Sequence, residues 1–357
     1  MSRAKRLVFW AAMLTLSNAF ALLALELSLR WLQARATRAL LAEQSKAVVI
    51  RSEIPGLHYT LRPGATNRNY SYNSLGFNMP ERPARKPPGI WRIAAVGDSF
   101  TEGYGADSSA DAFPNKLEKL LRERFRRQDI EVWNCGTGGY NVDQVFLTLS
   151  CIVTNYSPDA VIYGFCFNDY WGPNLYLEGQ AGQPAGAEAL AEARIGILDR
   201  IKALRTVMLV KNLYDSIHYR VNGYLPVFVD RKIGYPSWQA MKLRITEMRD
   251  FCRARGWPFA VCLLPFPQFL YVKDARNLAL KDLRANLERE GIPFVDTTPI
   301  LREHRSEKLF MDLDNHPNSR GYELIAEGLA EWMTTNRSAF LPEGERRSGV
   351  ETPEDAR

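Results

Sequence analysis

The chain has 357 residues, of which 46% are hydrophobic and 24% are charged, and its formal net charge is +6. These proportions are typical of a globular protein and exclude a wholly disordered chain or a collagen, and five cysteines are too few for a disulfide-stapled miniprotein. A mean hydropathy of −0.26 excludes a polytopic membrane protein but allows one spanning segment. The mildly basic balance does not indicate a nucleic-acid partner.

The N-terminus carries a long apolar run from Leu7 to about Leu29, with basic residues before and after it. About 20 apolar residues are enough to cross a bilayer as a helix, so the run predicts a membrane anchor over residues 1–29. A cleaved signal peptide is the alternative, because Ala19-Phe20-Ala21 has the form of a cleavage site. The apolar run continues past that site, which favours an uncleaved anchor.

The orientation of this anchor is not decided by charge, because three basic residues flank the run on each side. A short N-terminal tail usually stays in the cytoplasm. We therefore expect a single-pass protein whose body lies outside the cytoplasm, on the periplasmic side of the inner membrane.

The rest of the chain divides into three segments of different composition. Residues 30–89 begin as helix and become rich in proline and glycine, which indicates a linker or an irregular lead-in. Residues 90–340 form the predicted catalytic domain, with an insertion at about 170–235. Residues 341–357 are charged and poor in apolar side chains, which predicts a disordered tail.

Short apolar runs alternate with amphipathic helical stretches in the predicted domain, as in βαβ units with a parallel sheet covered on both faces. The pattern predicts an α/β fold whose sites lie at the carboxyl ends of the strands. The predicted strands are Arg92–Val96, Ile130–Trp133, Ala160–Phe165, Phe259–Leu264 and Ile292–Val295.

Gly97-Asp98-Ser99 follows the first predicted strand. A serine between a strand end and a helix can be exposed with its own N–H facing the same space, as a nucleophile requires when its attack creates an oxyanion. The alternative is that Asp98 or Ser99 only caps the next helix. The G-x-S-x-G elbow of α/β-hydrolases is excluded, because Thr101 occupies its last position.

Polar and glycine residues follow the next two strands as well. Asn134 begins a glycine-rich turn that contains Gly136 and Gly139, and Asn168 follows the third strand. Glycine lets the backbone present an N–H closely to a ligand, and an asparagine amide can donate to an oxyanion. The alternatives are an ordinary strand–helix turn and an Asx-turn.

His316 precedes the last predicted helix and has two carboxylates upstream, Asp312 and Asp314. A carboxylate that orients the imidazole makes histidine a useful general base. The alternative is an exposed loop histidine.

With these signals in this order, residues 90–335 resemble the SGNH hydrolase family, also called GDSL esterases and lipases. The resemblance implies a three-layer α/β/α sandwich with a parallel, flavodoxin-like sheet. It implies that Ser99 is the nucleophile and His316 its base. The stretch Asn73-Ser74-Leu75-Gly76-Phe77 also looks like membrane-anchored bacterial members of the family.

The resemblance also implies the supporting residues. The oxyanion hole would combine the N–H of Ser99, the N–H of Gly139 (with Gly136 as second choice) and the side chain of Asn168. The usual Asp-x-x-His spacing fails because position 313 is leucine. This leaves Asp314, which we prefer, or Asp312 to orient the histidine.

The implied activity is that of a serine esterase working by two-step acyl transfer, without metal or cofactor. We expect the substrate to carry O-acyl groups on an envelope or extracellular glycan, with hydrolysis and acyl transfer to a second hydroxyl both open. The alternatives are a lipase or thioesterase on acyl lipids, and a catalytically inactive assembly component of an envelope machine. Aromatic residues of the insertion would stack on sugars or only pack the insertion: Tyr170, Trp171, Tyr176 and Tyr224.

Overall fold

A computed structural model describes residues 3–41, 48–66, 69–170, 205–222, 235–271, 277–312, 314–336 and 340. The predicted tail at 341–357 and most of the predicted insertion lie outside these residues. Of the insertion's aromatic residues, Tyr170 is described, and its ring packs edge-on against Trp238 with 5.4 Å between centroids.

A small antiparallel sheet precedes a larger parallel one. Strands β1 (Val49–Arg51) and β2 (Tyr59–Leu61) form the small sheet. The five strands of the large sheet are all parallel and lie in the order β4-β3-β5-β6-β7. Their bounds, each overlapping a predicted strand, are β3 Trp91–Gly97, β4 Ile130–Gly136, β5 Ala160–Cys166, β6 Phe259–Leu264 and β7 Phe294–Asp296.

Helices flank the parallel sheet, which confirms the predicted α/β fold. Helix α3 packs against α10, and α4 packs against α6. The bounds are α1 Arg3–Leu41, α2 Ser99–Glu102, α3 Phe113–Phe125, α4 Val142–Leu147, α5 Arg205–Asn222, α6 Pro236–Arg253, α7 Gln268–Tyr271, α8 Leu278–Arg289, α9 Thr298–Glu303 and α10 Ser319–Thr335.

The proline- and glycine-rich segment belongs to the same hydrophobic core as the sheet. Leu57, Tyr59 and Tyr72 are buried among the core side chains although they precede residue 90. The irregular backbone is stabilised locally, because Asn73 Oδ1 accepts hydrogen bonds from the N–H groups of Leu75 and Phe77. The segment therefore packs as part of the domain, and it is a lead-in rather than a free linker.

Three glycines on neighbouring strands form a flat seat for helix α2. Gly97 of β3 pairs in register with Gly136 of β4 and Gly164 of β5. A β-carbon at any of the three would lie within 2.2 Å of an atom of Thr101 or Glu102, so only glycine lets α2 pack so closely on the strand ends. The fold thereby places the first residue of α2, Ser99, directly over the carboxyl edge of the sheet.

Helix α1 is long and apolar enough over Met13–Leu32 to cross a membrane, which fits an anchor and a signal sequence alike. It also contacts the domain. Glu26 is buried, and its carboxylate accepts hydrogen bonds from Arg30 at 2.7 Å and from the N–H of Thr206, near the start of α5, at 3.0 Å.

Candidate active site

Ser99 is the first residue of a single helical turn. Asp98 caps the turn by accepting the Phe100 N–H at 2.9 Å, and Gly103 ends it in the left-handed conformation with φ of +99°. As the first residue of a helix, Ser99 has an N–H without an intrahelical acceptor. The local sequence thus presents a hydroxyl and a backbone donor on the same side of α2.

His316 lies in a short loop that is held by a hydrogen bond before it and by a helix after it. Met311 N–H donates to the carbonyl of His316 at 3.0 Å, and the loop leads directly into helix α10. The rings of Phe100 and Tyr104 pack against the imidazole, with centroid distances of 4.6 and 4.7 Å. These contacts restrict the ring to an orientation that faces α2.

The structure brings together the three side chains predicted as a triad. Ser99 Oγ lies 2.8 Å from His316 Nε2. His316 Nδ1 lies 2.5 Å from Asp314 Oδ1, and the same oxygen accepts the backbone N–H of His316 at 3.0 Å. With Nδ1 protonated and bonded to the carboxylate, Nε2 is the nitrogen that can accept the serine proton.

Asp314 and Asp312 occupy different surroundings. Asp312 binds Lys308 at 2.8 Å, and both side chains are exposed. Burial opposes ionisation of Asp314, but the hydrogen bond and charge of His316 outweigh it, so the pKa of Asp314 is lowered from its ordinary 3.8. Asp314 is therefore a carboxylate at neutral pH, and of the two aspartates it is the one in contact with His316.

The two glycines considered as backbone donors also differ. The N–H of Gly136 donates to Asn134 Oδ1 at 3.1 Å and is occupied, and Gly136 serves to seat α2. The N–H of Gly139 has no acceptor within hydrogen-bond range among the described residues. Its neighbour Gly138 lies against Ser99, since a β-carbon there would be 3.7 Å from Ser99 Cβ.

Asn168, two residues after the end of β5, also lies close to Ser99. Its Nδ2 donates to Asp98 Oδ2 at 3.1 Å, and that oxygen lies 3.4 Å from Ser99 Oγ. An amide nitrogen carries two hydrogens, so one remains for a ligand next to Ser99. Burial raises the pKa of Asp98, and the Phe100 N–H and the charge of His316 only partly offset this.

The sequence prediction missed a layer of residues behind the site. Glu102 is buried and accepts hydrogen bonds from Tyr72 and from Gly138 N–H, and the Tyr59 hydroxyl donates to the Gly138 carbonyl. Burial raises the pKa of Glu102, against the effect of these hydrogen bonds. Glu102 lies three residues after Ser99, so its closeness to the site could have been inferred from the sequence. Tyr59 and Tyr72 lie in the lead-in, where no sequence pattern singles them out.

An open cleft of about 630 Å³ lies on the His316 side of the site. Its lining includes Gly105, which follows the Tyr104 ring that contacts His316, and Met311, whose N–H binds the His316 carbonyl. Charged and amide side chains make up much of the remaining lining: Asn69, Asp107, Lys308, Asp312, Asn318 and Arg320. Among the described residues, no three side chains of histidine, cysteine, aspartate or glutamate converge as metal ligands would.

Solved structures of several esterases are similar to this chain at low identity. An acetylxylan esterase from Geobacillus stearothermophilus is 15% identical with a TM-score of 0.43, covering 69% of this chain and 95% of its own. The lipase/acylhydrolase from Enterococcus faecalis is 12% identical with a TM-score of 0.42, covering 72% and 100%. A two-domain esterase active on acetylated mannans is 14% identical with a TM-score of 0.38, covering 72% and 52%.

No curated protein matches the chain. The model of the GDSL-like Lipase/Acylhydrolase family matches residues 95–324, which is more than half of the sequence and runs from β3 into α10. The matched region contains the serine, the glycine-rich turn, the asparagine and the histidine described above. The chain therefore belongs to the GDSL-like lipase/acylhydrolase family, the SGNH hydrolases, and is a hydrolase of ester bonds.

Proposed function

We propose that Ser99 is the nucleophile of this esterase, His316 its general base and Asp314 the carboxylate that orients His316. The observation that carries the proposal is the unbroken relay from Ser99 Oγ to His316 Nε2 at 2.8 Å and from His316 Nδ1 to Asp314 at 2.5 Å. Such a relay activates a hydroxyl that is otherwise a weak nucleophile.

The reaction proceeds in two steps. His316 Nε2 takes the proton of Ser99 while Oγ bonds to the ester carbonyl carbon. The tetrahedral intermediate collapses, its carbon–oxygen bond to the alcohol breaks, and the alkoxide leaves with the proton held by His316. Water then gives a proton to His316 and bonds to the acyl carbon. The bond from that carbon to Ser99 Oγ breaks, His316 returns the proton to Oγ, and the carboxylic acid leaves.

The negative oxygen of each intermediate binds three donors: the N–H of Ser99, the N–H of Gly139 and the amide of Asn168. Two observations support this assignment. The N–H of Gly139 has no acceptor among the described residues, and Asn168 and Ser99 both contact the carboxylate of Asp98. Donors fixed before the reaction bind the charge without reorganising, and losing one typically costs about 10²–10³-fold in kcat.

Hydrolysis of p-nitrophenyl acetate by the full-length protein in detergent tests this function. We expect turnover by the wild type and its loss, to the rate of buffer, in Ser99→Ala. Equal turnover by the two proteins would contradict the proposal and favour the alternative, an inactive assembly component. The short Asp-x-His spacing was the main support for that alternative, whereas the contact between Asp314 and His316 supports the proposal.

The proposed substrate is an O-acyl ester on an envelope or extracellular glycan. The cleft beside His316 carries charged and amide side chains that can hydrogen-bond to the hydroxyls of a glycan, next to the apolar Phe310 and Met311, which supports this choice. Release of acetate from an acetylated polysaccharide, compared with cleavage of p-nitrophenyl palmitate and acetyl-CoA, tests this choice. Faster cleavage of p-nitrophenyl palmitate would favour a lipase, and faster cleavage of acetyl-CoA would favour a thioesterase.

Transfer of the acyl group to a second hydroxyl would use the same residues as hydrolysis. The open cleft beside His316 is where we expect a second alcohol to bind. Adding a free oligosaccharide to the assay separates the two outcomes. An acyltransferase would form the acylated oligosaccharide at the expense of free acid, whereas a hydrolase would release acid at an unchanged rate.

We also propose that α1 is an uncleaved anchor that holds the domain on the periplasmic side of the inner membrane. The apolar side chains of Met13–Leu32 are exposed on the protein surface, as they would be for contact with lipid, and the helix continues through the predicted cleavage site. Protease digestion of spheroplasts tests the orientation, because only a periplasmic domain would be cut. N-terminal sequencing of the membrane-bound protein tests retention.

A further inference from the structure

The backbone around Gly139 forms a turn whose central peptide unit has a defined direction. Tyr140 N–H donates to the Thr137 carbonyl at 3.3 Å, so residues 137–140 form a β-turn. Gly139, the third residue of the turn, has φ of +78°. A positive φ at this position, without a positive φ at Gly138, defines a type II turn, which is why glycine occupies the third position.

The turn type decides which group of the Gly138–Gly139 peptide faces the nucleophile. Type I and type II turns differ by a flip of this central peptide of about 180°, with little change at the turn's ends. In a trans peptide the carbonyl and the following N–H point to opposite sides. A flip would therefore replace the Gly139 N–H, a donor, with the Gly138 carbonyl, which would repel an oxyanion.

Two side chains from outside the turn hold the peptide units on either side of Gly138. The Tyr59 hydroxyl donates to the Gly138 carbonyl at 2.8 Å. Glu102 Oε2 accepts the Gly138 N–H at 2.5 Å, and the Tyr72 hydroxyl donates to Oε1 of the same carboxylate. With both polar groups of Gly138 engaged on the protein side, the Gly139 N–H is left for a ligand.

We propose that Tyr59 and Glu102 are positioning residues of the oxyanion hole, which hold the type II form of the 137–140 turn. Tyr59 has no exposed surface, and its ring packs against the ring of Tyr140 with 5.1 Å between centroids, so packing holds its hydroxyl in place. Tyr59 precedes the part of the chain that matches the family, residues 95–324. The lead-in thus builds part of the active site and does more than connect an anchor to an enzyme.

The inference rests on the proposed function, because it takes the Gly139 N–H as an oxyanion donor. The test compares Tyr59→Phe with Tyr140→Phe in the full-length protein. Each change removes one buried hydroxyl that donates to a backbone carbonyl, and the two rings lie 5.1 Å apart. Only the first hydroxyl contacts the Gly138–Gly139 peptide, so the pair separates positioning from general loss of packing.

We expect Tyr59→Phe to lower kcat for p-nitrophenyl acetate at least tenfold with KM unchanged, and Tyr140→Phe to change kcat less than twofold. Inhibition by methylboronic acid, a tetrahedral mimic of the acetyl intermediate, should weaken by the same factor as kcat in Tyr59→Phe. Wild-type kcat in Tyr59→Phe, or an equal fall in both variants, would overturn the inference. Failure of the proposed function is distinct, because Ser99→Ala would then retain wild-type turnover.

A second pair of variants carries the test if Tyr59→Phe does not fold. Glutamine at position 102 keeps an oxygen that can accept the Gly138 N–H, whereas alanine does not. We expect Glu102→Gln to recover at least tenfold of the kcat lost in Glu102→Ala. Equal kcat in the two variants would contradict a positioning role for Glu102.

Discussion

The hydroxyl of Thr101 lies directly on Gly97, so that a β-carbon at this glycine would stand 2.1 Å from it. The glycine that opens the Gly-Asp-Ser block is therefore a packing requirement of the helix that follows. Because position 97 has no side chain, the helical turn that carries Ser99 packs directly on the ends of the strands. The position of the nucleophile depends on the absence of one methyl group in the strand.

Gly97→Ala should therefore disturb stability and activity together. The added carbon must push α2 away from β3, and overpacking of a tight core typically costs about 1–3 kcal/mol. A shift of α2 also lengthens the contact between Ser99 and His316. We expect a lower melting temperature and a fall in kcat of at least tenfold. A variant with wild-type melting and turnover would show that α2 is not seated as described.

Asp314 and Asp312 offer a matched pair of substitutions. Asp314→Asn removes the charge next to His316 and favours the wrong tautomer, which in a serine protease triad costs on the order of 10⁴-fold in kcat. Asp312→Asn only breaks an exposed pair with Lys308, and such pairs contribute little. We expect a loss of kcat of about 10²–10⁴-fold in the first variant and none in the second. The reverse order would assign the orienting role to Asp312.

Alanine at Gly139 and alanine at Gly136 should affect activity and stability differently. Alanine at Gly139 must adopt the left-handed conformation at a cost of about 1–2 kcal/mol, and it favours the flipped peptide. We expect a fall in kcat of about a hundredfold with a modest loss of stability. Alanine at Gly136 would place a carbon 2.2 Å from the backbone nitrogen of Glu102, so, like Gly97→Ala, it should lower the melting temperature and kcat together. Wild-type kcat in Gly139→Ala would contradict its role as a donor.

Much of the fold and the front of the site could be predicted from the sequence, because local patterns encode them. Five apolar runs predicted the strands, and the order of polar residues after them predicted which side chains meet at one edge. Ser99 and His316 lie 217 positions apart, and their pairing was implied by the resemblance to the SGNH hydrolases rather than by a local pattern. The choice of Asp314 over Asp312 needed coordinates, because both lie upstream of the histidine.

The two tyrosines behind the site could not be predicted. Tyr59 and Tyr72 lie in a proline- and glycine-rich stretch without periodicity, and nothing local in the sequence reports that they meet Glu102 and Gly138. Their contacts depend on how an irregular backbone crosses the sheet edge. Propensities and hydrophobic patterns do not contain that information, because they describe regular elements.

The buried carboxylate of Glu102 should give the protein a defined dependence of stability on pH. Burial raises its pKa in the folded state above the ordinary 4.5, so the folded protein keeps a proton that the unfolded chain releases. The free energy of unfolding contributed by this group therefore falls as pH rises above 4.5 toward the folded value. Glutamine does not ionise, so Glu102→Gln removes this pH-dependent loss of stability.

Melting of the two proteins across a pH series checks this sign. We expect the melting temperature of Glu102→Gln, relative to the wild type, to rise between pH values near 4.5 and neutrality. A difference that stays constant or falls over that interval would show that the carboxylate ionises as readily in the folded state as in the unfolded chain.

The relay from Asp314 through His316 to Ser99 is tested most directly by labelling with a fluorophosphonate, which reacts with activated serine hydroxyls. Peptide mapping of the labelled full-length protein should place the phosphonate on Ser99, and labelling should be lost in His316→Ala. A label on another residue, or labelling of Ser99 at an equal rate without His316, would contradict the account.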